Sequence, residues 1–403
     1  MNILRNKPIR PRPAPLEART DARDSQKKPD ARLLTGTVSN GMRVLQIGAD
    51  RSKRGILHRG SLAFARQEAY AKQFGNLDIV AFSLRSDGAG AIDAGPLRIY
   101  PTNSLSKLLY VSGAVRIALA LSMPAVVSTQ DPFETGLVGW IISRIKKVPL
   151  HVQVHTDFLS PSYARHSFAN RLRVFVAGFI LRRASRIRVV SGRIKTALLQ
   201  SYRLRSPVSV LPIFVDINEL QNVRADEGAA KRAESYDTKL LVVSRLEPEK
   251  NVGLAIRAFA DVAPQTACLI IVGDGSEKEN LERLAKDVGV SERIFFEGAQ
   301  TPKKYYKLAS LVLMPSLYEG YGMVIIEALA SGVPVLSTGV GVAREVGAIV
   351  ASKEEFNEAL AQWFNNGPRE GTLKNYPYQD FNEYIRAYCG DIVSCVESEK
   401  GHT

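Results

Sequence analysis

The chain is poor in cysteine: Cys268, Cys389 and Cys395 are the only three in 403 residues. They show neither a pairing pattern nor metal-ligand spacing, which excludes a disulfide scaffold and a zinc module. No uncharged apolar stretch reaches the roughly 18 residues of a membrane span. The opening Met1-Asn-Ile-Leu-Arg-Asn-Lys-Pro lacks the apolar core of a secretory signal. Both absences lead to a cytoplasmic expectation. There is no repeat at solenoid periods. Acidic residues are scarce in one region: residues 141–210 hold fourteen Lys/Arg against Asp157 alone.

What is present is ordinary for a soluble globular protein, at 45% hydrophobic and 23% charged residues. The length implies two domains. The net charge of +14 is concentrated in residues 141–210 and in residues 1–37, which hold nine Lys/Arg and four Asp/Glu. Residues 1–38 have no hydrophobic periodicity and read as a disordered basic arm.

From Met42 onward, short apolar runs alternate with helical patterns. Strands are expected at 42–48, 78–84, 97–100, 125–129, 150–155, 186–191 and 208–213, with helices at 61–74, 105–121, 134–145, 168–183 and 194–202. The polar interval 216–237 reads as a linker. Alternation then resumes, with strands at 240–244, 267–272, 294–297, 311–314 and 333–337. This pattern predicts an α/β protein of two doubly wound, Rossmann-like domains, 39–215 and 238–365. A helical segment, 366–403, closes the chain and is expected to pack back on the first domain.

The most informative segment runs from Met314 to Val335. Glu319 and Glu327 frame Gly320-Tyr321-Gly322, which leads into an apolar helix. Bare N–H groups at a helix start suit a pyrophosphate. Carboxylates suit hydroxyl-rich groups, because they only accept hydrogen bonds. On a helix, eight residues would separate the two by roughly 12 Å. That is wider than the roughly 5–9.5 Å of a glycosidase pair. A second group, Arg245 and Lys250, directly follows a buried strand, where open α/β sheets bind ligands. Gly273-Asp274-Gly275 forms a glycine turn. His151 and His155 share a strand, so their rings stand roughly 13 Å apart and form no zinc pair.

In this order and spacing, Ser244-Arg245-Leu246 with Lys250, Gly273-Asp274-Gly275, and Pro315 to Val335 resemble the retaining glycosyltransferases of family 4, of GT-B fold. The resemblance spans roughly residues 42–395. It implies transfer of a sugar from a nucleotide-sugar donor to a glycan or lipid-linked acceptor. Arg245 and Lys250 would bind the donor diphosphate. Glu319 with Gly320, Tyr321 and Gly322 would hold the donor sugar, Glu327 the ribose, and His155 would face sugar and acceptor. Gly60 and Ser61 stand where the family has a phosphate-contacting loop, although they depart from its Gly-Gly. Thr338 to Glu345 keeps the family's glutamate and loses a glycine and a proline. The chain has no D-x-D, so no cofactor and no metal are implied. Two rivals share the fold: a nucleotide-sugar epimerase and a non-catalytic carbohydrate-binding protein.

Residues 165–195 set basic ends around an apolar centre. They fit either a buried helix with a charged rim or a helix lying on an anionic membrane surface. The second reading would make the protein peripheral on the inner face of the cell membrane. Nucleic acid is excluded as a partner, because no recognition motif or aromatic platform accompanies the charge.

Overall fold

The structure, a computed structural model, describes residues 41–49 and 55–400. The expected arm, 1–38, lies outside the described residues.

The first half holds β1 (Met42–Gly48), α1 (Leu62–Phe74), β2 (Gly75–Ala81), β3 (Ile92–Ala94), β4 (Leu97–Pro101), α2 (Tyr110–Ala120), β5 (Val126–Thr129), α3 (Glu134–Lys146) and β6 (Leu150–Val154). It continues with α4 (Pro161–His166), α5 (Phe168–Leu181), β7 (Arg186–Val189), α6 (Gly192–Ser201) and β8 (Val208–Val210). The eight strands form one sheet in the order β3-β4-β2-β1-β5-β6-β7-β8. Only β3 runs antiparallel, against β4. Parallel strands are buried on both faces, and β6, Leu-His-Val-Gln-Val, is buried throughout. Leu150, Val152 and Val154 are apolar on one face, and His151 and Gln153 on the other are hydrogen-bonded to Asp391 and Tyr388.

The interval expected as a linker contains two short helices, α7 (Ile217–Asn222) and α8 (Glu227–Arg232). Asp216 and Asp226 cap them, accepting from the Glu219 and Ala229 N–H groups at 3.0 Å each. Each is six residues long with one buried anchor, Leu220 or Ala229, too little to give a visible period.

The second half holds β9 (Thr238–Val243), α9 (Val252–Val262), β10 (Ala267–Val272), α10 (Lys278–Asp287), β11 (Ile294–Gly298), α11 (Lys303–Tyr306), β12 (Leu311–Met314) and α12 (Met323–Ala330). After these come β13 (Val335–Thr338), α13 (Ala343–Val346), β14 (Ile349–Ala351), α14 (Phe356–Asn366) and α15 (Phe381–Lys400). Its sheet is all parallel, in the order β11-β10-β9-β12-β13-β14. The two doubly wound sheets are those expected from the alternation.

α15 returns to the first half and packs on α1. Its Asp391 is buried against His151 (3.0 Å), Ser209 (2.7 Å) and Arg186 (2.6 Å). Burial holds His151 below its ordinary value, while His151 and Arg186 hold Asp391 down at about 2. The pair is therefore a neutral imidazole donating to a carboxylate. On the opposite face of the sheet, α2 packs on α3 and α3 on α5. One apolar cluster runs from Val154, Phe158 and Tyr163 of the first half to Met314, Tyr321 and Val342 of the second. Among the described residues no helix is long and apolar enough to cross a membrane.

Candidate functional site

The carboxyl ends of the two sheets face each other. β6 ends at Val154 and delivers His155 to the cleft, while β12 ends at Met314 and delivers the loop 315–322. The approach is so close that a Cβ on Gly320 would lie 1.6 Å from the His155 carbonyl oxygen. Only glycine fits there. Between the two ends lies a cavity of about 540 Å³.

The loop after β9 meets the loop after β12. The Leu317 N–H donates to the Glu249 carbonyl at 2.8 Å, and Asn251 donates to the Pro315 carbonyl at 3.2 Å. Across this seam Lys250 Nζ lies 2.6 Å from Glu319 Oε1. Ser316 Oγ donates to the same oxygen at 2.9 Å. Thr338 fixes Ser316 through its carbonyl at 2.6 Å. Arg245 reaches Glu249 at 2.8 Å, and its side chain is 69% exposed. Two cations and two carboxylates, paired as Arg245–Glu249 and Lys250–Glu319, thus line one cavity.

Gly322 takes φ +88° and leads into α12, an eight-residue helix whose first residues, Met323 and Val324, also line the cavity. Tyr321 offers only its backbone. Its ring is buried in the core, and its carbonyl accepts from Val342 at 2.9 Å.

His155 is half-buried, and its Nε2 lies 3.2 Å from Gln153 Oε1. Gln153 is itself fixed: its amide donates to Tyr388 at 2.9 Å and its oxygen accepts from Arg188 at 2.7 Å. His155 therefore carries its proton on Nε2, which leaves Nδ1 as an acceptor. Burial first, then the Arg188 charge, pushes its pKa down to about 3, so the ring is neutral at physiological pH.

The cavity thus gathers His155, Arg245, Lys250, Glu319, Gly320, Tyr321 and Gly322. Four other residues singled out in the sequence do not line it. Glu327 lies one turn further along α12, where Tyr306 donates to it at 2.7 Å and burial raises its pKa. Gly273 stands behind the Arg245 loop; a Cβ there would lie 1.7 Å from the Ser244 carbonyl oxygen. Ser61 caps α1, accepting from Phe64 at 2.9 Å and donating to the Gly55 carbonyl at 2.8 Å. Gly60 is the turn residue before it, at φ +89°.

Sequence reading missed several participants. Tyr163 of α4 and Tyr318 of the β12 loop meet edge to face across the cleft, 5.7 Å between centroids. Glu345 of α13 accepts from the Arg193 N–H at the start of α6, 3.1 Å away, and joins the two halves a second time. The retained Glu345 was the only signal for that contact. Among the described residues, no group of three His, Cys, Asp or Glu side chains is arranged to hold a metal.

Residues 39–213 match the family profile of a glycosyl transferase 4-like domain, and residues 224–380 match that of glycosyl transferases group 1. The alpha-monoglucosyldiacylglycerol synthase of Streptococcus pneumoniae is 27% identical over 231 residues, 53% of this chain and 52% of that protein. The chain spans about half the length of the curated relatives it matches. A sucrose-phosphate synthase from Thermosynechococcus elongatus has the same fold, with a TM-score of 0.67 at 18% identity over 89% of this chain and 98% of that one. Anabaena HepE, solved with UDP and glucose, gives 0.59 at 20% identity, again over 89% and 98%. The two facing domains are thus a GT-B fold.

Proposed function

The chain belongs to the glycosyl transferases group 1 family, and we propose that it moves a sugar from a nucleotide-sugar donor to a hydroxyl acceptor in the interdomain cleft. The observation that carries this reading is the Lys250–Glu319 pair, 2.6 Å apart, set beside Arg245 and the Gly320–Gly322 turn in one cavity. No single hydrolytic nucleophile explains that combination. A donor carrying both a diphosphate and a polyol does.

In this reading Lys250 and Arg245 meet the diphosphate and stabilise its departure. Exposed Arg245 gives up Glu249 for the phosphate, a better bidentate partner. Glu319 keeps Ser316 and turns to the sugar hydroxyls. The N–H groups at the start of α12 complete the anion site. Glu327, poised one turn deeper, takes the ribose hydroxyls. His155 Nδ1 accepts from a sugar or acceptor hydroxyl.

The bond from the anomeric carbon to the diphosphate oxygen breaks, and a bond from that carbon to the acceptor oxygen forms on the same face. The acceptor's proton passes to the departing phosphate. Configuration is retained, and side-chain cations carry the phosphate charge without a metal. The acceptor is a glycan or a lipid-linked glycan. The diacylglycerol product in the pneumococcal relative's name favours the lipid, as does the basic charge of the first half. The proposed setting is the inner face of the cell membrane.

Incubation of the chain with UDP-, GDP- and ADP-sugars, with and without polyprenyl-phosphate-linked and diacylglycerol acceptors, tests this. Acceptor-dependent glycoside formation supports transfer. An epimerised sugar without acceptor would establish the epimerase instead, and absence of nucleotide release across the panel the non-catalytic protein.

A further inference from the structure

The outer layer formed by α2, α3 and α5 has a surface that cleft chemistry does not use. On α5, Phe168, Leu172 and Phe175 are 76%, 56% and 75% exposed. They fall at i, i+4 and i+7, so they form one stripe. Arg171 and Arg182 fall along the same stripe, and the Arg171 guanidinium lies 5.5 Å over the Phe168 ring. Leu108 and Leu109, also exposed, stand just before α2 in the same layer.

The charge around this apolar surface is of one sign. Residues 103–183 hold ten Lys/Arg and three Asp/Glu. Each of those acids is already committed. Asp131 is enclosed, and burial pushes its pKa up to about 6. Glu134 pairs with Arg173 at 2.8 Å, and Asp157 with Arg193 at 2.9 Å. Among the described residues, no carboxylate pairs with Arg165, Arg171, Arg182 or Arg183.

We propose that this face docks on an anionic lipid bilayer, with Phe168, Leu172 and Phe175 entering the headgroup–acyl boundary and the arginines around them meeting lipid phosphates. Large apolar side chains ringed by unneutralised cations are the composition of a helix lying in the membrane interface. A second copy of the chain is the poorer occupant, because a twofold contact here would set arginines against arginines. α5 has fourteen residues, too few to cross a bilayer. The face also leads to the cleft: Tyr163 lines the cavity, and α5 begins five residues later. An acceptor anchored in the bilayer would then present its head group at the cavity mouth.

The test is flotation of the full chain with vesicles, read without donor or acceptor so that it stands apart from the transfer reaction. Wild type is expected to float with equal parts phosphatidylglycerol and phosphatidylcholine and not with phosphatidylcholine alone. The F168S/F175S variant should lose more than about tenfold in partitioning. R171E/R182E should lose at least about tenfold by a separate, salt-sensitive route. Both changes lie on the surface, and matching thermal melts check the fold. Failure of wild type to float would overturn the proposal. So would binding unchanged in both variants, which would move the contact elsewhere, the 1–37 region included. A shift from dimer to monomer in F168S/F175S by light scattering would make the occupant a second copy.

Discussion

Gly320 in the second domain lies against the carbonyl oxygen of His155 in the first, with room for no side chain: a Cβ would come within 1.6 Å. The same loop that carries Glu319 is therefore the surface on which the domains close. The proposed donor-binding chemistry and the approach of the domains thus fall to adjacent residues, Glu319 and Gly320.

Gly320→Ala consequently prevents this approach. Transfer should fall by about 100-fold or more, since a displacement near 1 Å in the reacting geometry has that cost. Binding of the donor nucleotide, which the proposed function assigns chiefly to the second domain, should fall much less. Steady-state kinetics beside calorimetric titration with the nucleoside diphosphate separate the two effects.

His155 is neutral, with its proton directed to Gln153. The rate against pH should then show no ionisation of this ring between pH 5 and 8, because it charges only near 3. Gln153→Ala frees the tautomer and should lower kcat about tenfold with a smaller change in KM. A pH–rate profile with an inflection near 6.5 that disappears in His155→Ala would contradict the assigned state.

Asp131 gives a stability prediction of definite sign. Burial raises it to about 6, so the folded chain holds its proton more tightly than the unfolded chain, whose carboxyl titrates near 4. Its contribution is most favourable below about pH 4, weakens as pH rises to about 6, and is level above that. Asp131→Asn keeps an acceptor for the Phe133 N–H, now 2.7 Å from Oδ1. It should flatten that part of the stability curve and raise stability at pH 7 by about 1–3 kcal/mol. Urea unfolding from pH 4 to 8 measures it.

Asp391 joins α15 to β6, β7 and β8 through His151, Arg186 and Ser209. Asp391→Ala leaves Arg186 without its buried partner and should cost about 3–5 kcal/mol. Its folded pKa is depressed to about 2, so its stabilisation is present above pH 4 and lost as pH falls through about 2. Denaturant melts at pH 7 and pH 2.5 should show the mutant's deficit shrinking at the lower pH.

The strands of both sheets were legible because buried parallel strands are nearly continuous apolar runs, as in Ala267–Val272. The edge strands β3 and β14 were not, at three residues each. The expected helix from Leu105 begins only at Tyr110, after a tight turn at Lys107–Leu109. The apolar residues that suggested the longer helix are exposed. In the site, Glu319, Arg245 and Lys250 were readable because glycines and strand ends flank them. Gln153, Tyr163, Tyr318 and Asp391 were not. Tyr163, Tyr318 and Asp391 act through contacts between segments far apart in the chain, and Gln153 is held in place by such contacts with Arg188 and Tyr388, which leave no local period or spacing.

The proposed function requires that Lys250 and Glu319 hold a nucleotide sugar for transfer. It is tested most directly by the rate of acceptor-dependent sugar transfer, in the presence of EDTA, for wild type, Lys250→Ala and Glu319→Ala. The predicted result is transfer by wild type that the chelator does not diminish, with losses of about 100- to 1,000-fold in each variant. Wild-type rates in both variants, or activity that EDTA abolishes, would contradict it.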